Sequence, residues 1–182
     1  VAPDRRVLGI IRPTAEAVGA ITQTSQIGVL ATVGTIQSCS YTLEIRKLYP
    51  HIQVFGKACP MWVPIVENNE MNSPGAAFFV QKYIDTILQA DPQIDTLVLA
   101  CTHYPLLRSV IDRFIPEGIT VIQQGEIVAR SLKDYLCRHP EMERELSRGG
   151  QIEFLTTEKG GMFDKMAALF MQAEVTSRHI EL

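Results

Sequence analysis

Cys101-Thr102-His103 is the segment of this chain whose residue types suit proton chemistry. It follows the apolar run Leu97-Val98-Leu99-Ala100 and precedes Tyr104-Pro105-Leu106-Leu107. The run reads as a buried strand, and Pro105 as a first-turn residue of the next helix. A thiol at the C-terminal end of a strand in an open α/β sheet faces the crevice where such sheets bind ligands. Unpaired N–H groups at the helix start favour negative charge, so the spacing predicts that Cys101 leans toward thiolate. His103 is a proton partner two residues on, with an ordinary pKa of about 6.5 that suits exchange near neutrality. Alone, Cys101 reads as a small core residue and His103 as a cap or surface group. The hydroxyl of Thr102, the imidazole and the helix start, taken together, make Cys101 and His103 catalytic candidates.

A second candidate is the hydroxyl loop Thr32-Val33-Gly34-Thr35, placed ahead of a helix. It reads either as a helix cap or as a carboxylate cradle of hydroxyls and backbone N–H groups. One glycine and no lysine exclude a phosphate P-loop, and no dinucleotide fingerprint occurs, which argues against a nicotinamide or flavin enzyme. Glu67 ends the segment Cys59-Pro60-Met61-Trp62-Val63-Pro64-Ile65-Val66-Glu67. By residue type alone Glu67 is a surface charge and Cys59 a packing residue. The four cysteines, Cys39, Cys59, Cys101 and Cys137, form no CxxC pair and no zinc-ligand pattern. No metal is expected. Free thiols in a chain of this kind point to a reducing compartment, hence a cytoplasmic protein.

With 182 residues, the chain holds one domain, or one domain and part of another. Apolar residues make up 46%, enough for a core, and the net charge of −3 leaves no electrostatic footprint for nucleic acid. The apolar runs are too short to cross a bilayer, and no signal peptide is visible. The polar start Val1-Ala2-Pro3-Asp4-Arg5-Arg6 leads almost directly into an apolar run, which raises the expectation that more chain precedes it.

Positioning these residues falls to an alternation of strands and helices. Strands are predicted at 7–11, 27–31, 52–58, 96–100, 119–122 and 152–156. Helices are predicted at 15–24 with Thr14 as cap, 35–49, 61–68, 74–90 with Ser73 as cap and Pro74 at its first position, 105–114, 124–137 and 162–172. Residues 139–150, rich in Glu and Arg, read as a linker or exposed loop, and residues 173–182 as a frayed tail. Alternation of this kind calls for an α/β fold with a doubly wound parallel sheet. Right-handed crossovers place every strand's C-terminal end on one edge, and Arg12, Thr32, Thr35, Cys59, Cys101, His103 and Gln124 fall at those ends.

The segment Ala100-Cys101-Thr102-His103-Tyr104-Pro105-Leu106-Leu107 resembles the second cysteine motif of glutamate racemases. The resemblance extends to Gly9-Ile10-Ile11-Arg12-Pro13, to Gly28-Val29-Leu30-Ala31-Thr32-Val33-Gly34-Thr35, to Cys59-Pro60-Met61-Trp62-Val63-Pro64 with Glu67, and to Gln124-Gly125-Glu126. Ala100 stands where the family commonly has glycine. The family joins two α/β domains, and the first carries an Asp-Ser pair and another cysteine in a C-N-T motif, neither of which occurs here. This chain resembles the last two thirds of such a protein. Residues 1–126 would be the second racemase domain, and residues 127–182 a helix, linker and strand–helix segment returning to the first.

The resemblance implies interconversion of L- and D-glutamate by two thiols on opposite faces of Cα, without a cofactor. It implies catalytic roles for Cys101, His103 and Glu67 and substrate binding by Thr102, Thr32, Gly34 and Thr35. Because related enzymes with a C-T-E signature act on aspartate, His103 after Cys101-Thr102 tilts the substrate toward glutamate. A cell-wall role for D-glutamate as a peptidoglycan building block and a homodimer of the full-length protein are further implications. A cofactor-free decarboxylase or isomerase of the same superfamily, or a non-catalytic binding protein with this fold, are the alternatives.

Overall fold

The computed structural model describes residues 7–158 and 161–181. The polar start, residues 1–6, and the last tail residue lie outside that range. The chain forms two compact units, Val1–Tyr135 and Leu136–Leu182.

The first unit is built on four parallel strands: β1 (Gln26–Ala31), β2 (Gln53–Ala58), β3 (Thr96–Leu99) and β4 (Thr120–Gln123), in the order β2-β1-β3-β4. The chain steps outward from β1 to β2, then crosses back to β3 on the other side of β1. The winding therefore reverses between β1 and β3, where open α/β sheets form their crevice at the strand C-termini. All four residues of β3 are buried, as are all of β1 after Gln26. Strands covered on both faces must read as continuous apolar runs, and these do.

Each face has its own helical layer. Ile27, Val29, Ala31, Val98, Ala100 and Ile122 share a core with Ala15 and Val18 of α1 (Ile11–Ile21) and with Tyr41 and Ile45 of α3 (Ser40–Leu48). On the opposite face α5 (Pro74–Leu88) approaches so closely that a Cβ at Gly28 would lie 2.5 Å from Leu97 Cδ2 and 2.7 Å from Ile87 Cδ1. Ser73 caps α5 by accepting from the Ala76 N–H at 3.1 Å, with Pro74 at its first position. α7 (Gln124–Arg138) leaves directly from β4.

Asp95 secures the far end of the sheet. It accepts from Thr22 Oγ1 at 2.6 Å, Thr96 Oγ1 at 2.8 Å, and the N–H groups of Gln23 and Thr24 at 2.6 and 2.8 Å. Partial burial pushes its carboxyl upward, but these four donors overcome that and hold it at about 2, below its ordinary 3.8. A depressed carboxyl stabilises the fold fully above its unfolded value and loses that contribution as pH falls toward the folded one. Asp95→Asn is therefore expected to lower the thermal midpoint at pH 7, to cost about 2 kcal/mol, and to differ little from the wild type at pH 2. Thermal melts at both pH values check this.

Several local expectations are corrected. Residues 7–11 form no strand: Val7 is 89% exposed and the chain enters α1 at Ile11. A short apolar run does not by itself distinguish strand from helix. Pro13 sits in the first turn of α1, where its missing N–H has no partner to lose. Thr14 is thus inside the helix, fully buried, and donates to the Ile10 carbonyl at 3.2 Å rather than capping. The predicted helix 35–49 is two helices, α2 (Val33–Gln37) and α3, parted at Cys39 with φ of 53°. Ser38 bonds the Thr35 carbonyl at 2.9 Å there, a local alternative to helical continuation. The predicted helix 105–114 is a 3-10 turn, Tyr104–Leu107, followed by the short α6 (Arg108–Ile111).

The second unit holds α8 (Pro140–Glu145), β5 (Phe154–Thr156), α9 (Met162–Met171) and β6 (Ser177–His179). The stretch read as a linker contains α8, opened by Pro140 at a position that tolerates proline. The tail read as frayed supplies β6, which pairs in parallel with β5 from Phe154↔Ser177 to Thr156↔His179. The Ser177 N–H is also fixed by Asp164 at 3.0 Å. None of the described residues of this unit is buried, and Ile152 and Met162 are 71% and 62% exposed.

Candidate active site at the strand ends

The register sets the rim. Ala31 is level with Ala58, Leu30 with Leu99, and Leu99 with Gln123. Thr32, Cys59, Cys101 and Gln124 therefore emerge on one edge, with Thr32 and Cys101 flanking the reversal of winding. Two backbone bonds extend this alignment past the strands: Cys59 N–H to the Ala31 carbonyl, and Ala100 N–H to the Leu30 carbonyl, both 2.8 Å.

Cys101 is half-buried, and its sulfur lies 3.9 Å from His103 Nδ1. Thr102 Oγ1 is 3.5 Å from the same nitrogen. On the other side of the ring, His103 Nε2 is 3.2 Å from Glu67 Oε1. An ionised carboxylate only accepts, so Nε2 carries the hydrogen and Nδ1 of the neutral ring presents a lone pair to the thiol. Glu67 thereby selects the tautomer that can take a proton from Cys101.

Packing brings Glu67 to that place. It ends α4 (Trp62–Glu67). The Trp62 ring meets the Tyr104 ring edge-on at 4.7 Å, and both side chains are fully buried. Tyr104 donates its hydroxyl to the Cys59 carbonyl at 3.4 Å, fastening the 3-10 turn to the end of β2. The two aromatics fix α4 against the turn after Cys101, one residue from His103. Cys59 itself is buried, and burial pushes its thiol far up, which fits its reading as a packing residue.

Burial is also the main influence on Cys101 and raises its thiol. The backbone N–H groups of His103 and Tyr104 pull the other way, and the charge of Glu67 pushes upward again. The balance lies above the ordinary thiol value, which corrects the expectation of a thiolate-leaning cysteine. Helix-start N–H groups do reach Cys101, but desolvation outweighs them.

The threonine loop forms a separate group. Thr32 caps α2, accepting from the Thr35 N–H at 3.4 Å, and the two hydroxyls are 3.0 Å apart. A Cβ at Gly34 would meet nothing within 4 Å, so its backbone faces open space. None of the hydrogen bonds given above links this loop to Cys101, Thr102, His103 or Glu67. Of the seven site residues read from the sequence, the structure joins four in one hydrogen-bonded chain and places three together in the adjacent loop. Arg12, also expected at the rim, lies exposed and pairs with Glu16 at 2.9 Å.

Tyr41 and Gln124 are a polar pair that the motifs do not signal as a unit. Gln124 Nε2 donates to the Tyr41 hydroxyl and to Thr14 Oγ1, the latter at 3.3 Å. Nothing in the sequence signals the pair, since Tyr41 falls inside the predicted helix 35–49 and lies 83 positions from Gln124.

No family model matches the chain. Curated relatives do. A glutamate racemase of Streptococcus suis is 37% identical over 179 residues, which is 98% of this chain and 67% of that protein. Another, of Oceanobacillus iheyensis, is 40% identical over 141 residues, 78% of this chain and 51% of that protein. Among solved structures, a glutamate racemase isoform of Bacillus anthracis superposes with a TM-score of 0.86 at 31% identity, over 100% of this chain and 66% of that one. The Francisella tularensis enzyme, solved with D-glutamate, shares the fold with a TM-score of 0.82 at 24% identity. The chain spans about two thirds of the length of its Streptococcus relative. Similarity that runs through nearly the whole of its length, in sequence and in fold, shows that this chain belongs to the glutamate racemase family.

Proposed function

We propose that this chain supplies one of the two proton-exchanging thiols of a cofactor-independent glutamate racemase, and that Cys101 is that thiol. The observation that carries the reading is the line from Cys101 Sγ through His103 to Glu67 at the reversal of winding. Inverting Cα needs a base on one face and an acid on the other. His103 Nδ1 takes the thiol proton, and the resulting Cys101 thiolate removes the Cα proton of L-glutamate. That proton ends on sulfur, and a second thiol, outside the four cysteines of this chain, delivers a proton to the opposite face. In the reverse direction Cys101 returns its proton to Cα.

The raised thiol fits this role. A Cα hydrogen is a very weak acid, and a base of higher pKa removes it faster once formed. The threonine loop is the candidate cradle for substrate carboxylate, with Thr32, Thr35 and the open backbone at Gly34 beside Cys101 on the rim. Thr102 would hold the substrate from the same turn. The cytoplasmic setting, the homodimer and the supply of D-glutamate for peptidoglycan belong to this proposal through the family. Among the described residues no helix is long and apolar enough to cross a membrane.

The test joins this chain to the first domain of a family member and supplies L-glutamate. D-glutamate should accumulate until the enantiomers are equal, read by chiral chromatography. Failure to form D-glutamate in a folded protein, or preferential loss of carboxylate as carbon dioxide, would overturn the reading.

A further inference from the structure

Two hydrogens compete for one nitrogen of His103. Glu67 accepts from Nε2–H at 3.2 Å, which leaves the neutral ring a single acceptor atom, Nδ1. Cys101 Sγ lies 3.9 Å from that atom, and Thr102 Oγ1 lies 3.5 Å from it. The three residues share one bend, closed by the Tyr104 N–H on the Cys101 carbonyl at 3.2 Å.

The two donors are unequal. A hydroxyl donates well, whereas a thiol S–H is a weak donor. With one lone pair between them, the Thr102 hydroxyl takes it, and the thiol proton is left without a strong acceptor. Burial already keeps Cys101 protonated, and the charge of Glu67 adds to that. The other titratable groups that interact with Cys101 are Tyr104 from the 3-10 turn, Cys59 from the end of β2 and Tyr41 from α3, and burial pushes all three up, so they stay protonated near neutrality. Thr102 is exposed, while Cys101 and His103 are half-buried. A ligand entering from solvent can therefore reach that hydroxyl. A carboxylate is a better acceptor for it than a neutral ring nitrogen, because hydrogen bonds to ionised groups are roughly twice as strong as neutral ones.

We propose that Thr102 is a gate on His103: its hydroxyl occupies Nδ1 until a substrate carboxylate draws that hydrogen away, and the freed nitrogen then takes the proton of Cys101. This rests on the reading of Cys101 as the proton-carrying group. Deprotonation of the thiol is thereby coupled to occupancy of the site by an acid, and an uncharged ligand leaves the gate shut. Without substrate the sulfur stays a thiol and is shielded from other electrophiles.

The experiment is the rate of iodoacetamide alkylation at Cys101 in this chain at neutral pH, read by mass spectrometry, with the exposed thiols of Cys39 and Cys137 as internal references. Thr102→Val replaces the hydroxyl by a methyl group and should speed alkylation about fivefold, the worth of one neutral hydrogen bond. Thr102→Ser keeps the donor and should restore the slow rate. In a His103→Ala background the contested nitrogen is gone, so adding Thr102→Val should change nothing. If buried Cys59 becomes alkylated the variant has lost its fold, and Thr102→Ala takes its place. An unchanged rate in the folded variant, or equal acceleration with and without His103, would overturn the proposal. Release by a carboxylate is read by nitrogen-15 NMR of His103 in this chain joined to the family's first domain. Saturating D-glutamate, its binding followed by calorimetry, should move the wild-type Nδ1 resonance toward the position that Thr102→Val shows without ligand. A resonance unmoved by bound D-glutamate would overturn the gate alone, whereas absence of binding would overturn the racemase reading and the gate with it. Alkylation needs no glutamate, so its result stands apart from the racemisation assay.

Discussion

Cys101→Ala, in this chain joined to the family's first domain, should lower racemisation of L-glutamate by about 10³-fold or more. The substitution removes the rim thiol that, among the described residues, stands beside an imidazole, the sulfur lying 3.9 Å from His103 Nδ1. The fold should persist, because Cys101 is half-buried in a bend after the strand and alanine fits the space. Cys59→Ala is the matching control. Cys59 is buried with its thiol on the Lys57 carbonyl at 3.6 Å, so its loss should leave turnover near the wild-type value. Chiral chromatography of timed samples gives both rates. Near-normal turnover of Cys101→Ala would remove this residue from the chemistry.

His103→Ala should slow the same reaction by about 10²-fold. The imidazole is the route by which the thiol loses its proton, and burial keeps Cys101 protonated at neutral pH. The loss should therefore shrink as pH rises, because hydroxide then generates the thiolate that His103 no longer produces. Glu67→Gln should follow the same pattern with a smaller loss, since an amide at 3.2 Å from Nε2 no longer selects one tautomer. A pH–rate profile from 7 to 10 for the wild type and both variants checks this. Equal losses at every pH would mean that His103 holds the substrate or the turn and does not move the proton.

The parallel sheet is legible in the sequence wherever a strand is buried on both faces. β1 and β3 are such strands, and Ser73-Pro74 announces α5 with equal clarity. Edges are less legible. Residues 7–11 are as apolar as a strand, yet Val7, Leu8 and Ile10 are exposed and no strand among the described residues pairs with them, and Pro13 suits a helix's first turn as well as a loop. The break at Cys39 depends on hydroxyls of Ser38 and Ser40 that compete with the helix. At the site, the spacing of Cys101 and His103 is local and readable. The pairing of His103 with Glu67, 36 positions away, depends on Trp62 meeting Tyr104, a contact that residue spacing does not encode. Without the resemblance, Glu67 would have remained a surface charge. The raised Cys101 thiol is not legible for a related reason: helix-start N–H groups can be read from sequence, but the burial that outweighs them comes from the assembled fold.

The central claim is that Cys101 exchanges the Cα proton with solvent. The most direct measurement is deuterium incorporation at Cα by NMR, with L-glutamate supplied in D2O to this chain joined to the family's first domain. The account predicts that each D-glutamate formed carries deuterium at Cα, and that Cys101→Ala incorporates almost none on the same timescale. D-glutamate that keeps its original hydrogen, or a Cys101→Ala protein that exchanges as fast as the wild type, would contradict it.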